Sequence, residues 1–463
     1  MTFFSDSELP PNWELLPISE VAEVNPKFDK RSIADDLEIT FIPMPAVEAE
    51  TGYIDVSGVR CFGEVKKGYT GFLEGDVLFA KITPCMENGK MAVVPTLKNS
   101  VGFGSTEFHV LRPGTNLDPK FLYYYVSSQQ VRFDAEHNMS GAVGQKRVPT
   151  AYLAGYRIPV PSINQQKRIV SKIEEIYSEL DKGIAALKAA REQLKVYRQS
   201  VLKHAVEGKI TARWREKNAT VSWRLEKLGN LLVLLTSGSR GWAKFYSDCG
   251  DTFIRAQNLK HDRLDLDEKT FVALPKKAEG RRTQVQVGDV LVTITGANVT
   301  KTGWVSADVG TAYVSQHVAL CRPTEDINSE FLYWFLVAEA AGRKQLSKFA
   351  YGAGKPGLNL DNIRSVEISL PSLEEQYEIV NKLRELLSIE ENVSSIIETE
   401  LRRVELIRQS VLKKAFSGQL FPQDLNDEPA SELLDRIRAE TQKGKKTSRA
   451  SAHRHGSSPR ETT

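Results

Sequence analysis

At 463 residues, 41% hydrophobic and 26% charged, the chain is long enough for two to four domains and has the composition of an ordinary soluble globular protein. A net charge of +3 is too weakly basic to argue for nucleic acid by itself, and no stretch approaches the roughly 20 apolar residues of a membrane span, which predicts no membrane partner. The four cysteines (Cys61, Cys85, Cys249, Cys321) are scattered without metal-ligand spacing. Together with a charged, non-apolar start at Met1, Asp6 and Glu8, they predict a cytoplasmic protein with neither a signal peptide nor a disulfide frame nor a bound metal.

The chain is written twice. A shift of 210 positions lays residues 158–210 over 368–420 without a gap, matching RQSVLKHAVEGKI to RQSVLKKAFSGQL. The same shift sets Trp13 over Trp223, Arg112-Pro113 over Arg322-Pro323, and Phe121-Leu122-Tyr123 over Phe331-Leu332-Tyr333. Gly75-Asp76-Val77-Leu78 meets Gly288-Asp289-Val290-Leu291 after a further slip of three.

In chain order, residues 13–160 form the first globular domain. Strands are predicted at 77–82, 92–94 and 108–111, and a helix at 119–130. Residues 161–208 follow as a long central helix, opened by Pro161-Ser162 and stopped at Gly208. Its seam is Ile173, Leu180, Leu187, Leu194 and Val201, one apolar residue every seven, with Tyr177, Ile184 and Ala205 beside it. After a linker at 209–222, the second domain occupies 223–370, with strands at 290–295 and 318–321 and a helix at 329–345. A second long helix spans 371–418, opened by Pro371-Ser372 and stopped at Gly418. Its stripe is Leu383, Val393, Ile397, Leu401, Val404, Ile407 and Val411. The extension 419–463 ends in a polar tail carrying Lys443, Lys445, Lys446, Arg449, Arg454 and Arg460, whose composition predicts disorder. The fold class is therefore α+β: two similar globular domains separated by two long coiled-coil helices, an internal pseudo-twofold tandem duplication.

Both helices begin acidic (Glu174, Glu175, Glu179, Asp181; Glu374, Glu375, Glu378, Glu390, Glu391). Both end basic (Lys188, Arg191, Lys195, Arg198, Lys203; Arg402, Arg403, Arg408, Lys413, Lys414). Laid parallel, like charges would face each other. Laid antiparallel, opposite signs meet at both ends, so an antiparallel pair is predicted. Each helix of about 40 residues would span about 60 Å.

The duplicated phrases GDVLFAKITPCMENGKMAVV (75–94), GSTEFHVLRP (104–113), IPVPSINQQKRIVSKIE (158–174), GDVLVTITG (288–296), ISLPSLEEQYEIV (368–380) and the two RQSVLK runs resemble the specificity subunits of type I restriction–modification systems. So does the segment 430–440. The resemblance covers Trp13 to about Leu420. It implies a target-recognition domain in each half, each reading one part of a bipartite double-stranded DNA site. It also implies helices that set the spacer and dock two modification subunits. S-adenosylmethionine, ATP and Mg are then expected on the modification and restriction partners, with no cofactor and no catalysis in this chain.

Direct readout of base edges needs polar side chains on loops that can enter the major groove. In the first half the candidates are Lys81, Thr83, Asn88 and Lys90, then Gln145, Lys146 and Arg147. In the second they are Ser239, Arg240 and Lys244; Arg255, Gln257 and Asn258; Thr295, Asn298 and Lys301; and Lys355. Asn25-Pro26-Lys27-Phe28 departs from an adenine-methyltransferase motif at its third position and reads as a turn. Gly352-Ala353-Gly354-Lys355 lacks the flanking residues of a phosphate loop, and Asp76 and Asp289 read as turn residues. The alternative on sequence grounds is a coiled-coil scaffold that binds protein and not DNA.

Overall fold

The computed structural model describes residues 9–435, apart from 143, 219–221, 239, 276–279, 351–356, 423, 425, 430–431 and 433–434. Of the sequence expectations, Ser239, Lys355, the basic tail and most of 430–440 lie outside the described residues. The chain divides into two compact units, Met1–Ala185 with Leu401–Thr463, and Ala186–Glu400. Among the described residues no helix is long and apolar enough to cross a membrane, and no group of three or more His, Cys, Asp or Glu could hold a metal ion.

In the first unit, Glu14–Pro17 pairs antiparallel with Arg157–Val160 and so joins the two ends of the globular domain. One sheet has the order Ala22–Val24, Phe108–Pro113, Val77–Ala80, Met91–Val93. The other runs Val59–Cys61, Glu38–Ile42, Val101–Gly104, Thr70–Leu73, with one parallel pair. Alternation along Val77–Ala80 serves two cores. Leu78 and Ala80 meet Ile42 and Phe72 of the second sheet, whereas Val77 and Phe79 meet the helices, including Phe121, Leu122 and Tyr125. The second unit repeats the plan. Leu291 packs with Ile254 and Leu320, and Val290 and Val292 pack with Phe331, Leu332 and Leu336.

Each predicted domain helix is divided in two. Residues 119–130 become Pro119–Val126 and Gln129–His137; residues 329–345 become Ser329–Val337 and Gly342–Phe349. A Gln of the RQSVLK phrase bonds the backbone at each break. Gln409 Oε1 accepts the backbone N–H of Gln129 at 3.2 Å, and Gln199 Oε1 accepts that of Glu339 at 3.2 Å. Each donor is a backbone group left over where a helix ends or restarts.

The long helices, Ile163–Val206 and Leu373–Phe416, have 44 residues each. Within each unit their segments run antiparallel. In the first unit, Ile173 shares a core with Val411, Leu412 and Phe416, while further along Asp181 pairs with Arg408 and Tyr177 donates to the Arg408 carbonyl. In the second, Arg191 reaches Glu398 at 3.1 Å, Arg198 reaches Glu390 at 2.7 Å, and Val201 joins Leu383 in the core. Opposite charges meet as the sequence predicts.

Ile173, Val201, Leu383, Ile397 and Val411 are buried in the seam, and Leu180, Leu187, Leu194, Leu401 and Val404 are half-buried. Val393 and Ile407 depart from the expectation: they are 39% and 37% exposed. The seam of the second helix steps through Leu387, Glu390, Ser394 and Ile397, all buried or half-buried, so polar residues hold positions that an apolar count assigns one place away.

Glu390 is nearly buried in that seam, and Arg198, which also lies over the Trp334 ring, is its partner. Glu390→Ala is expected to cost about 1–3 kcal/mol by stranding the guanidinium. The pair Arg198→Met with Glu390→Leu is expected to recover most of the loss. Urea unfolding midpoints of the three variants check both outcomes.

Candidate nucleic-acid interface

The residues that repeat between the halves build a frame. Asp76 accepts two hydrogen bonds from Arg112, at 2.8 and 2.7 Å, and Asp289 accepts two from Arg322, both at 2.8 Å. Each carboxylate also caps its own turn, through the N–H of Leu73 and of Gln286. The Gln of each Pro-x-x-x-x-Gln phrase is fully buried. Gln166 Oε1 accepts from Asp118 N while its amide donates to the Asn116 and Pro161 carbonyls; Gln376 does the same with Asn328 N, Asp326 and Pro371. These amides tie the start of each long helix to the N-cap of a domain helix. Trp13 Nε1 donates to Gln165 and Trp223 Nε1 to Glu375, which fixes the entry of each domain.

On this frame the structure brings two of the predicted loops of the first domain together. In the first domain Thr83 N donates to the Lys146 carbonyl at 3.0 Å, and Ile82 bridges Arg147, so 81–90 and 140–147 lie side by side. At the matching place in the second, Thr295 bridges Gly357, and the Thr295 hydroxyl bonds His317. Gly141 (φ +127°) turns the first loop back on itself, and a Cβ there would lie 2.9 Å from the Gln145 carbonyl.

Exposure separates the candidates. Asn88, Gln145, Lys146, Arg240, Lys244 and Gln257 are exposed, and Thr295 and Asn298 are partly so. Others are engaged within the fold. Lys90 donates to the Met44 and Val47 carbonyls, Lys301 pairs with Asp262 at 2.9 Å, and Thr83 bonds Glu87. Arg147 spends its guanidinium on both oxygens of Glu107 and on the Gln145 carbonyl, which makes it a brace for the loop. That contact holds the Glu107 carboxyl below the usual carboxylate range, and burial pushes the half-buried Lys81 amine down. Asn258 corrects the sequence reading. It is 4% exposed and bonds Arg255 N and the Asp265 carbonyl, closing its own turn with no group left for a base.

His109 escaped the sequence reading, although its place in a strand beside the loops decides their position. Nε2 donates to the Val148 carbonyl at 2.8 Å, and Asn25 Nδ2 donates to Nδ1 at 3.0 Å. Asn25 cannot turn its oxygen to the ring, because Oδ1 already accepts Val110 N at 3.0 Å. The ring is therefore neutral. Burial, and then the Lys81 charge, push its pKa below the ordinary histidine value. Asn25, read from the sequence as part of a turn, is a staple with φ +54°.

The family model for the type I restriction modification DNA specificity domain matches residues 10–189 and 250–399. The chain belongs to that family. It is 26% identical over 471 residues to the StySPI specificity subunit of Salmonella potsdam, across 96% of this chain and 99% of that one. Over 170 residues it is 40% identical to the EcoEI specificity subunit of Escherichia coli. That match spans 36% of this chain and only 28% of the EcoEI subunit's length. In fold it is similar to a chain of a type I R-M system solved for its complex assembly and conformational transition (TM-score 0.71, 20% identity, 89% of this chain and 99% of that one). It also resembles the HsdS subunit from Thermoanaerobacter tengcongensis (TM-score 0.56, 22% identity, 89% and 98%).

A histidine held neutral makes loop order depend on pH. The unfolded chain takes up a proton below about pH 6.5, whereas folded His109 resists until lower pH. The unfolded state therefore binds more protons in that window, and local stability falls as pH drops through it. The protection factor of the Val148 amide, which donates to the Lys81 carbonyl, is expected to fall between pH 7.5 and about 5.5 in hydrogen exchange corrected for the intrinsic rate. In His109→Gln protection should be low throughout and show no such step.

Proposed function

We propose that this chain is the sequence-reading subunit of a type I restriction–modification complex. One observation carries the reading: the halves match in the frame residues and diverge in the paired loops that the frame presents. At the place where Glu107 braces Arg147 in the first domain, His317 bonds Thr295 in the second. A duplicated frame with two different loop sets suits two different half-sites separated by unread base pairs. The match of both halves to a DNA specificity domain favours this over a protein-binding scaffold.

Each domain then reads one half of a bipartite site. Exposed Gln145, Lys146 and Asn88 are the first domain's contacts, and Gln257, Asn298, Arg240 and Lys244 are the second's. The long helices set the spacer and dock two modification subunits, which carry S-adenosylmethionine and methylate adenine. Restriction subunits add ATP- and Mg-dependent cleavage. This chain selects the site, acts in the cytoplasm and performs no chemistry.

Binding of the assembled complex to a duplex carrying its site is expected to weaken steeply between 50 and 200 mM salt as phosphate contacts release counterions. Lys146→Ala or Gln145→Ala, if the side chain touches a base, should cost about 1–3 kcal/mol and relax recognition in the first half-site alone. A phosphate contact would instead weaken all sequences alike and lower the salt slope by about 1. Binding that ignores both salt and sequence would refute the reading.

A further inference from the structure

The second domain contains a cavity of about 250 Å³ walled by Trp242, Tyr246 and Phe253 and lined also by Arg255, Gln316 and His317. Trp242 is buried and stacks on Phe253 with centroids 5.7 Å apart and planes 23° from parallel; Tyr246 leans on Phe253 at 5.7 Å and is 49% exposed. Arg255 Nε is buried and has no hydrogen-bond partner among the described residues. The cavity adjoins the reading loops, since His317 bonds Thr295 and Asn298 donates to the Ala256 carbonyl.

In the first domain the same place is filled. Phe41 and Phe103 hold the paired-strand positions of Phe253 and Tyr313. There the Arg60 guanidinium lies 3.9 Å over Phe41, Tyr69 meets Phe41 edge-on, and Phe28 stands on Phe103.

Base edges in duplex DNA lie at the floor of a groove, and a protein reads them by projecting into it. A concavity can receive only a group that leaves the duplex. Phosphates project, but three aromatic rings beside one guanidinium suit a flat, weakly polar group better than an anion. A nucleobase turned out of the stack has a face for the rings and an edge for the guanidinium, amide and imidazole. We propose that this cavity takes one unstacked nucleobase of the half-site read by the second domain, with Tyr246 on its face and Arg255 at its edge. The proposal rests on the sequence-reading role above and names a contact within it.

The test uses the full chain assembled with its modification partners and duplexes carrying 2-aminopurine, or pyrrolocytosine at pyrimidines, at each second half-site position in turn. One position should brighten several-fold on binding. Tyr246→Ala and Arg255→Met should abolish the rise and weaken binding about tenfold, while Tyr246→Phe, which keeps the ring and controls for folding, retains it. Selective binding with no brightening at any position overturns the proposal and leaves the reading role standing. So does brightening that persists in Tyr246→Ala and Arg255→Met, because the base is then held elsewhere. Variants that keep the fluorescence and DNA affinity but lose a modification subunit would overturn it in favour of a protein side chain in the cavity. If the intact complex binds no sequence selectively, this proposal falls together with the reading role.

Discussion

Phe416 is buried against Phe121 and Tyr125, with ring centroids 5.1 and 5.0 Å away, and Val411, Leu412 and Ala415 fill the same core. These residues end a helix that begins in the other unit, where Ile379 and Val380 pack beside Val201, Leu202 and Ala205 from the end of the first long helix. Each globular core is therefore completed by the helix that the other half of the chain supplies. Burying a set of large apolar side chains contributes several kcal/mol, so neither helix can slide without opening a core. Within each unit, the register of the two helix segments follows from that constraint.

The charges along the seam refine it. Burying apolar residues fixes the ends, but the stretches between hold Leu180, Leu187 and Leu194 only half covered. There the pairs Asp181–Arg408, Arg191–Glu398 and Arg198–Glu390 favour the antiparallel sense, and exposed pairs of this kind add direction more than stability. Glu390, more deeply set, is different: its partner must be present.

The duplicated frame was legible in the sequence because its residues repeat and each repeat performs a local, fixed task. Asp76 with Arg112 and Gln166 with the Asp118 N–H have second copies 210 to 213 positions on, and Gln409 with the Gln129 N–H has its counterpart in Gln199 with the Glu339 N–H. Val393 was misplaced because a seam that includes Glu390 and Ser394 cannot be followed by apolar spacing alone. Within the candidate loops, spacing and composition do not distinguish inward from outward residues. Asn258 and Gln257 are neighbours of similar chemistry, and only the closing of the turn on Asp265 sends one inside. The Trp242 cavity was illegible for another reason. Its wall is assembled from the short helix Trp242–Phe245 and two separate strands, and nothing in local pattern reports that juxtaposition.

The central claim is that this chain alone decides which DNA sequence its complex acts on. Genome-wide adenine methylation in the native host, with and without the gene, tests it most directly. The account expects one gapped, two-part motif to lose methylation on deletion and to regain it when the gene is restored. An unchanged methylation map in a host whose modification subunits are active would contradict it.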